Sequence, residues 1–230
     1  MVKSRCGIVC DPAKCKEAFK VDCPGCVAMD KPFWGVCDVK VCCEGKGLEH
    51  CGLCPDFPCE VLNSYAYNEE HGNNGEMIEQ CKRWAAAKRA GDVINSKANY
   101  IGGGMEGYVV LALIDDSGYP SASALTIAQA DGIHWLTFVS SPDSNKARRI
   151  SKCEKASVCI ASSEYNITLV GTIEEVTDMD AKKDTWGVVL NGCPHWSGYD
   201  DPNFYVMRFK TERYSIFFDG EEAFEVAGIL

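Results

Sequence analysis

The chain has 230 residues, 46% hydrophobic and 24% charged, with a net charge of −10 at pH 7 and a pI near 4.9. That length holds one large domain or two small ones. The acidity speaks against nucleic-acid binding, which needs a basic face, and no apolar run approaches the roughly 18 residues of a membrane span. The opening MVKSRCGIVC lacks the unbroken apolar stretch of a secretory signal, so a cytoplasmic location is expected.

Residues 1–60 show little periodic hydrophobicity and are punctuated by Gly and Pro, as in DCPGC and CGLCPDFPC. Of 15 cysteines in the chain, eleven fall here: Cys6, Cys10, Cys15, Cys23, Cys26, Cys37, Cys42, Cys43, Cys51, Cys54 and Cys59. Such a segment cannot bury a large core, so something else must hold it. Bound metal, a disulfide scaffold and simple packing of small thiols compete as explanations. An odd number of thiols in a reducing compartment argues against disulfides, and packing alone does not account for this density. Cys23-Pro-Gly-Cys26 and Cys51-Gly-Leu-Cys54 are C-x2-C knuckles, a spacing that lets two thiolates grip one ion. Cys6-x3-Cys10 and Cys37-x4-Cys42 supply further pairs. Zinc and an iron–sulfur cluster both accept such ligands; the absence of a C-x2-C-x2-C run leans toward zinc. His50, just before Cys51, is a candidate ligand that reads rather as an exposed bystander, and Cys43, adjacent to Cys42, stays outside the ligand set.

Residues 61–75 read as a linker, and 76–90 as an amphipathic helix with Met77, Ile78, Cys81, Trp84 and Ala85 on one face. Gly91 is its expected stop, with a short second helix at 92–98. From Tyr108 the period changes to that of strands. YVVLALID, SASALTIAQ and IHWLTFVS form a meander joined at DDSG and ADG. A helix follows in SPDSNKARRISKC, then strands SVCIAS and ITLVGTIEEVT, then a helix in DMDAKKDTWGVVLN. YVMRFKTERYSIFFDG reads as two strands around a turn, and EAFEVAG as a further strand. The fold class is therefore mainly β with helices (α+β), a small barrel preceded by a cysteine-rich module. The expected domains are 1–63 for the cysteine module, 64–91 for linker and helix, and 92–230 for the barrel.

The third strand of the meander ends at Ser140; Ser141, Asp143 and Ser144 are good helix-capping residues, and Lys146 falls in the first helical turn. A cation there opposes the helix dipole, which an anion would offset. The competing explanation is an ordinary capped surface helix. Cys159 reads as core, and Cys193 beside His195 as loop packing rather than a catalytic pair. His134 reads as exposed.

Two resemblances sharpen these readings. CGIVCDPAKC, CPGC and CDVKVCCEGKGLEHCGLCPDFPCEVL, over about residues 5–63, resemble a family of small cysteine-rich bacterial and archaeal domains. That resemblance carries over Cys6, Cys10, Cys15, Cys23, Cys26, Cys37, Cys42, Cys51, Cys54 and Cys59 as metal ligands. Residues 76–219 are similar to the pyridoxamine-phosphate-oxidase-like split β-barrels, in their general-stress-protein and nitroimidazole-reductase-like branches. VVLALIDDSGYPSASALT, TFVSSPDSNKARRI, VGTIEEV and the Trp186 helix carry the likeness. It implies a homodimer with FMN in a groove between subunits. Ser140, Ser141, Ser144 and Lys146 would then hold the phosphate. Ser123, Ala124 and Leu125 would line the isoalloxazine through backbone contacts. Phe138 and Val139 would lie beneath the flavin, and Trp186 would approach the ring from the partner subunit. The family often has an arginine near position 121 or 123, where this chain has Ser121 and Ser123; its loss leaves a deazaflavin or haem as alternative ligands. The function so implied is an FMN-dependent oxidoreductase acting on a small substrate or electron donor, with the cofactor carrying the chemistry. Its rival is a non-catalytic flavin-binding stress or sensor protein whose zinc module docks a partner.

Overall fold

The computed structural model describes residues 2–29, 35–98, 107–189, 195–219 and 224–230. The chain divides into two compact units, Met1–Ala85 and Ala86–Leu230.

The first unit opens with a short antiparallel pair, β1 (Val2–Lys3) and β2 (Val9–Cys10). Helix α1 (Pro12–Phe19) follows, capped by the Asp11 carboxylate and with proline at its start. Helices α2 (Asp38–Gly45) and α3 (Glu60–Ala66) come next, and α3 occupies part of the stretch that reads as a linker. Leu62 and Ala66 of α3 are fully buried in a small core with Val39, Met77 and Ile78. Burial of that apolar face, which a scan for long periodic segments passes over, is what orders the segment. The same core takes in Cys6, Cys43, Cys51 and Cys81, so these thiols pack as small hydrophobes.

Helix α4 (Glu76–Lys97) runs without a break through Gly91. The expected stop fails because Gly91 serves a close approach. A Cβ on it would stand 3.1 Å from the Cα of Gly132. In the second unit the later turns of α4 bury Ala86, Ala90 and Ile94 in the main core. Asn95 accepts a hydrogen bond from the Gly132 amide at 2.9 Å.

The second unit is a curled antiparallel sheet, the half-barrel of a split-barrel fold. Its strands are β3 (Tyr108–Ile114), β4 (Pro120–Thr126), β5 (Gln129–Asp131), β6 (Trp135–Ser140), β7 (Lys155–Ala161), β8 (Tyr165–Glu175), β9 (Tyr205–Phe218) and β10 (Phe224–Ile229). They are ordered β4-β3-β7-β8-β9-β6-β5, with β10 also paired to β9. Period-two alternation sends Val109, Leu111, Leu113, Val158, Ile160, Ile167, Leu169 and Ile173 into the core. Helix α5 (Asn145–Ile150) follows β6 and buries Ala147 and Ile150, while α6 (Met179–Val189) lies between β8 and β9.

Residues 205–218 form a single strand, not two strands around a turn. The polar run Lys210–Arg213 looks like a turn in sequence, but it is where β9 changes partners along one edge. Tyr205–Lys210 pair with β6 and Arg213–Phe218 with β10. Opposite that handover the β8 register shifts between Val170 and Gly171, a bulge that bends the strand without ending it.

Candidate functional site

Strand β6 ends at Ser140 and the chain turns into α5. The Ser140 hydroxyl donates to the Ser144 hydroxyl at 3.1 Å. Ser144 is the N-cap, its Oγ accepting from the Ala147 amide at 3.2 Å. Ser141, exposed, accepts from the Asp143 amide at 3.4 Å. The expected cap chemistry is thus present. The helix is only six residues long, so its dipole is small and side chains must supply any anion affinity.

The cations of this segment differ in what they face. Lys152 and Arg148 both meet Asp116, at 2.6 and 3.9 Å. The Lys152 hydrogen bond, followed by the nearby positive charges, holds the Asp116 carboxyl below the usual carboxylate range. Lys146 is half-buried and has no hydrogen-bond or ion-pair partner among the described residues. Arg149 reaches β4, where its Nη1 donates to the Ser121 hydroxyl at 2.9 Å. The hairpin that lacks an arginine of its own is therefore reached by one from α5. Which residue Arg149 touches depends on the packing of α5 against the sheet, which a single sequence does not record.

Ser123 and Leu125 are half-buried and Ala124 exposed on β4, the end strand of the sheet path. That strand pairs on one side with β3, opposite Leu111, Val110 and Val109. Its other edge has no strand partner among the described residues, which leaves backbone groups there available to a ligand. Val139 is half-buried. Phe138 is fully buried in the main core opposite Met207, so its side chain is walled off from any surface ligand. Trp186 packs edge-on against Phe204 at 5.4 Å, with Trp196 on the same ring at 5.2 Å, in a separate apolar cluster. Ser121 of β4 is joined to Arg149 of α5, Ser140, Ser144 and Lys146 lie at the β6–α5 corner, and Trp186 packs against the same apolar cluster as Val139. Cys193 lies outside the described residues. His134 and His195 are exposed, and Cys159 is only half-buried on its strand.

All the described cysteines are free thiols. Cys6, Cys10, Cys26 and Cys37 are close enough to raise the Tyr65 hydroxyl pKa together, after burial, which is the main cause. Burial pushes the Cys10 thiol up to about 11, reinforced by Cys26, Cys6, Cys15 and Cys23. Cys43 is hydrogen-bonded to Cys51, and Cys81 lies near both; burial lifts Cys81 to about 12. Cys54 accepts from the Lys46 ammonium at 3.2 Å. Among the described residues no three Cys, His, Asp or Glu side chains converge as a metal shell requires. The thiols as placed are neighbours and do not form a completed site. His50 corrects its expectation: it is 2% exposed, its ring edge-on to Trp84 at 5.4 Å. Burial lowers its pKa to about 4, and its Nδ1 has no hydrogen-bond partner among the described residues.

Among the described residues no helix is long and apolar enough to cross a membrane. Residues 105–217 match the family model described as pyridoxamine 5'-phosphate oxidase, and residues 12–64 match the one described as protein of unknown function (DUF3795). No curated protein matches the chain. Among solved structures, a protein from Clostridium acetobutylicum related to general stress protein 26 is 21% identical. That match covers 54% of this chain and 85% of that one, with TM-score 0.45. A pyridoxamine 5'-phosphate oxidase-related, FMN-binding protein from Nostoc punctiforme is 14% identical over 64% and 96%, with TM-score 0.43. A heme binding protein from Mycobacterium smegmatis is 20% identical over 61% and 57%, with TM-score 0.47. The two matched segments lead to one assignment at the level of domains: residues 105–217 form a domain of the pyridoxamine 5'-phosphate oxidase family, preceded over residues 12–64 by a domain of a family of unknown function.

Proposed function

We propose that the barrel domain binds FMN and acts as an oxidoreductase on a small substrate, as a homodimer with the flavin between subunits. The carrying observation is Lys146, a half-buried cation with no carboxylate partner among the described residues, on a chain of net charge −10. Leaving such a charge unpaired is costly, and an anionic ligand removes the cost. The hydroxyls of Ser140, Ser141 and Ser144 stand within the same turn and can donate to phosphate oxygens. Backbone groups of Ser123, Ala124 and Leu125 on the open edge of β4 would orient the ring, and the Val139 backbone would border it. When bound, the flavin supplies hydride exchange with the substrate. The chain's own residues anchor the phosphate, fix the ring edge and exclude water. The dimer reading draws support from Tyr108, Val110 and Phe217, exposed on one face of the sheet.

For the N-terminal module, residues 1–63, the reading is a zinc-stabilised domain, with an iron–sulfur cluster as the alternative. The mutual proximity of Cys6, Cys10, Cys26 and Cys37 supports it. Closure of that shell would have to accompany metal binding, as in other small domains whose folding is coupled to zinc.

The test is titration of the full chain and of Lys146→Met with FMN, followed by flavin fluorescence. The reading expects K146M to weaken FMN by about tenfold or more, the size of a lost charge-assisted hydrogen bond. Equal affinity in the two proteins would sink it.

A further inference from the structure

The four cations at 146–152 fall into two kinds. Lys152 and Arg148 share the single carboxylate of Asp116, Lys152 at hydrogen-bond distance and Arg148 at 3.9 Å. Arg149 meets no carboxylate within ion-pair distance among the described residues and acts on Asp116 only through space; its one hydrogen-bond partner there is a neutral hydroxyl, Ser121, on another element 28 residues away in sequence. A serine oxygen orients a guanidinium without cancelling its charge. The contact is half-buried, and the remaining N–H donors of Arg149 have no partner among the described residues. An arginine kept only for solubility resembles Arg148, whose side chain is 56% exposed. Lys146 stands three residues earlier, on the same side of α5.

We infer that Arg149, held by Ser121, is a second phosphate-binding cation of this site and sets its preference for a phosphorylated over an unphosphorylated flavin. This rests on the flavin reading above. A phosphate monoester carries nearly two negative charges at neutral pH. One lysine balances about half of that, whereas lysine and arginine together match it. A planar guanidinium also adds a two-point grip that an ammonium lacks. Ser121 is a positioning residue: with its hydroxyl gone, the arginine keeps its charge and loses its direction.

The experiment titrates the full chain and the variants Arg149→Met, Arg149→Lys, Ser121→Ala and Arg148→Met. FMN and riboflavin are followed by flavin fluorescence. Inorganic phosphate is followed by amide NMR shifts over residues 140–149. R149M should weaken FMN by about tenfold or more and riboflavin by less than about twofold. R148M should leave both within about twofold, because its side chain is exposed and turned toward Asp116. R149K should recover part of the loss, and S121A should fall between wild type and R149M. Where R149M does not fold, R149K and S121A decide the matter by the same ordering. FMN affinity unchanged in R149M and S121A overturns this inference and leaves the flavin reading standing. A wild type that binds neither flavin, yet shows phosphate shifts that R149M abolishes, overturns the flavin reading and retains Arg149 as an anion-binding residue. Neither flavin binding nor phosphate shifts in the wild type overturns both.

Discussion

Gly171 of β8 faces the backbone carbonyl of Lys210 on β9 with no room for a side chain: a Cβ there would stand 1.9 Å from that oxygen. The contact sits at the bulge where β9 passes from β6 to β10, so the bend of the sheet depends on it. Gly171→Ala is expected to destabilise the barrel by about 2–4 kcal/mol, because backbone must shift to admit the methyl. Gly187 in α6 meets nothing within 4 Å. Gly187→Ala should therefore be neutral or stabilising by up to about 1 kcal/mol through helix propensity. Urea unfolding of both variants checks the pair, and equal effects would show that the bulge is not sterically fixed.

Much of the fold was legible because hydrophobic alternation from Tyr108 onward is strong and the joints carry turn residues. The misreadings have a common cause. Gly91 and the polar run Lys210–Arg213 carry the local signals of a helix stop and a turn. In the structure they serve contacts with segments distant in sequence, Gly132 and strand β8 at Gly171. A single sequence records the residue type but not the neighbour that requires it. His50 was misread for the same reason, since its burial depends on Trp84, which lies well downstream. At the site, the Ser140–Lys146 corner was legible from capping residues. The Arg149–Ser121 contact joins two elements and was not.

Acid should reveal the Glu44 network in the N-terminal unit. The Lys40 ammonium, 8% exposed, and Arg5, at 3.0 Å, both bind the Glu44 carboxylate. The Lys40 hydrogen bond, ahead of the Arg5 contact, holds its pKa below the ordinary 4.5. A carboxyl depressed by folding contributes stability that is present above its unfolded pKa and lost as pH falls through its folded one. Glu44→Gln should cost about 1 kcal/mol near pH 7, since the pair is partly exposed. That difference from wild type should close as pH falls below about 4.5. A difference that stays constant down to acid pH would assign the loss to packing instead.

The metal reading makes a separable prediction. Protein prepared without oxygen should contain zinc, and Cys26→Ser should lower its content, whereas Cys159→Ser, in the barrel, should not. A chelator should lower the melting temperature of the wild type, because metal affinity is folding free energy in such modules. Metal-free protein with an unchanged melting temperature would leave the thiols as packing groups.

The most direct measurement for the account as a whole is FMN retention. The purified chain is incubated with FMN or with riboflavin, desalted, and its visible spectrum recorded. The account predicts that FMN stays bound in stoichiometric amount and that riboflavin is largely lost, since Lys146 and the serine hydroxyls hold the phosphate. Loss of both flavins on desalting, or equal retention of the two, would contradict it.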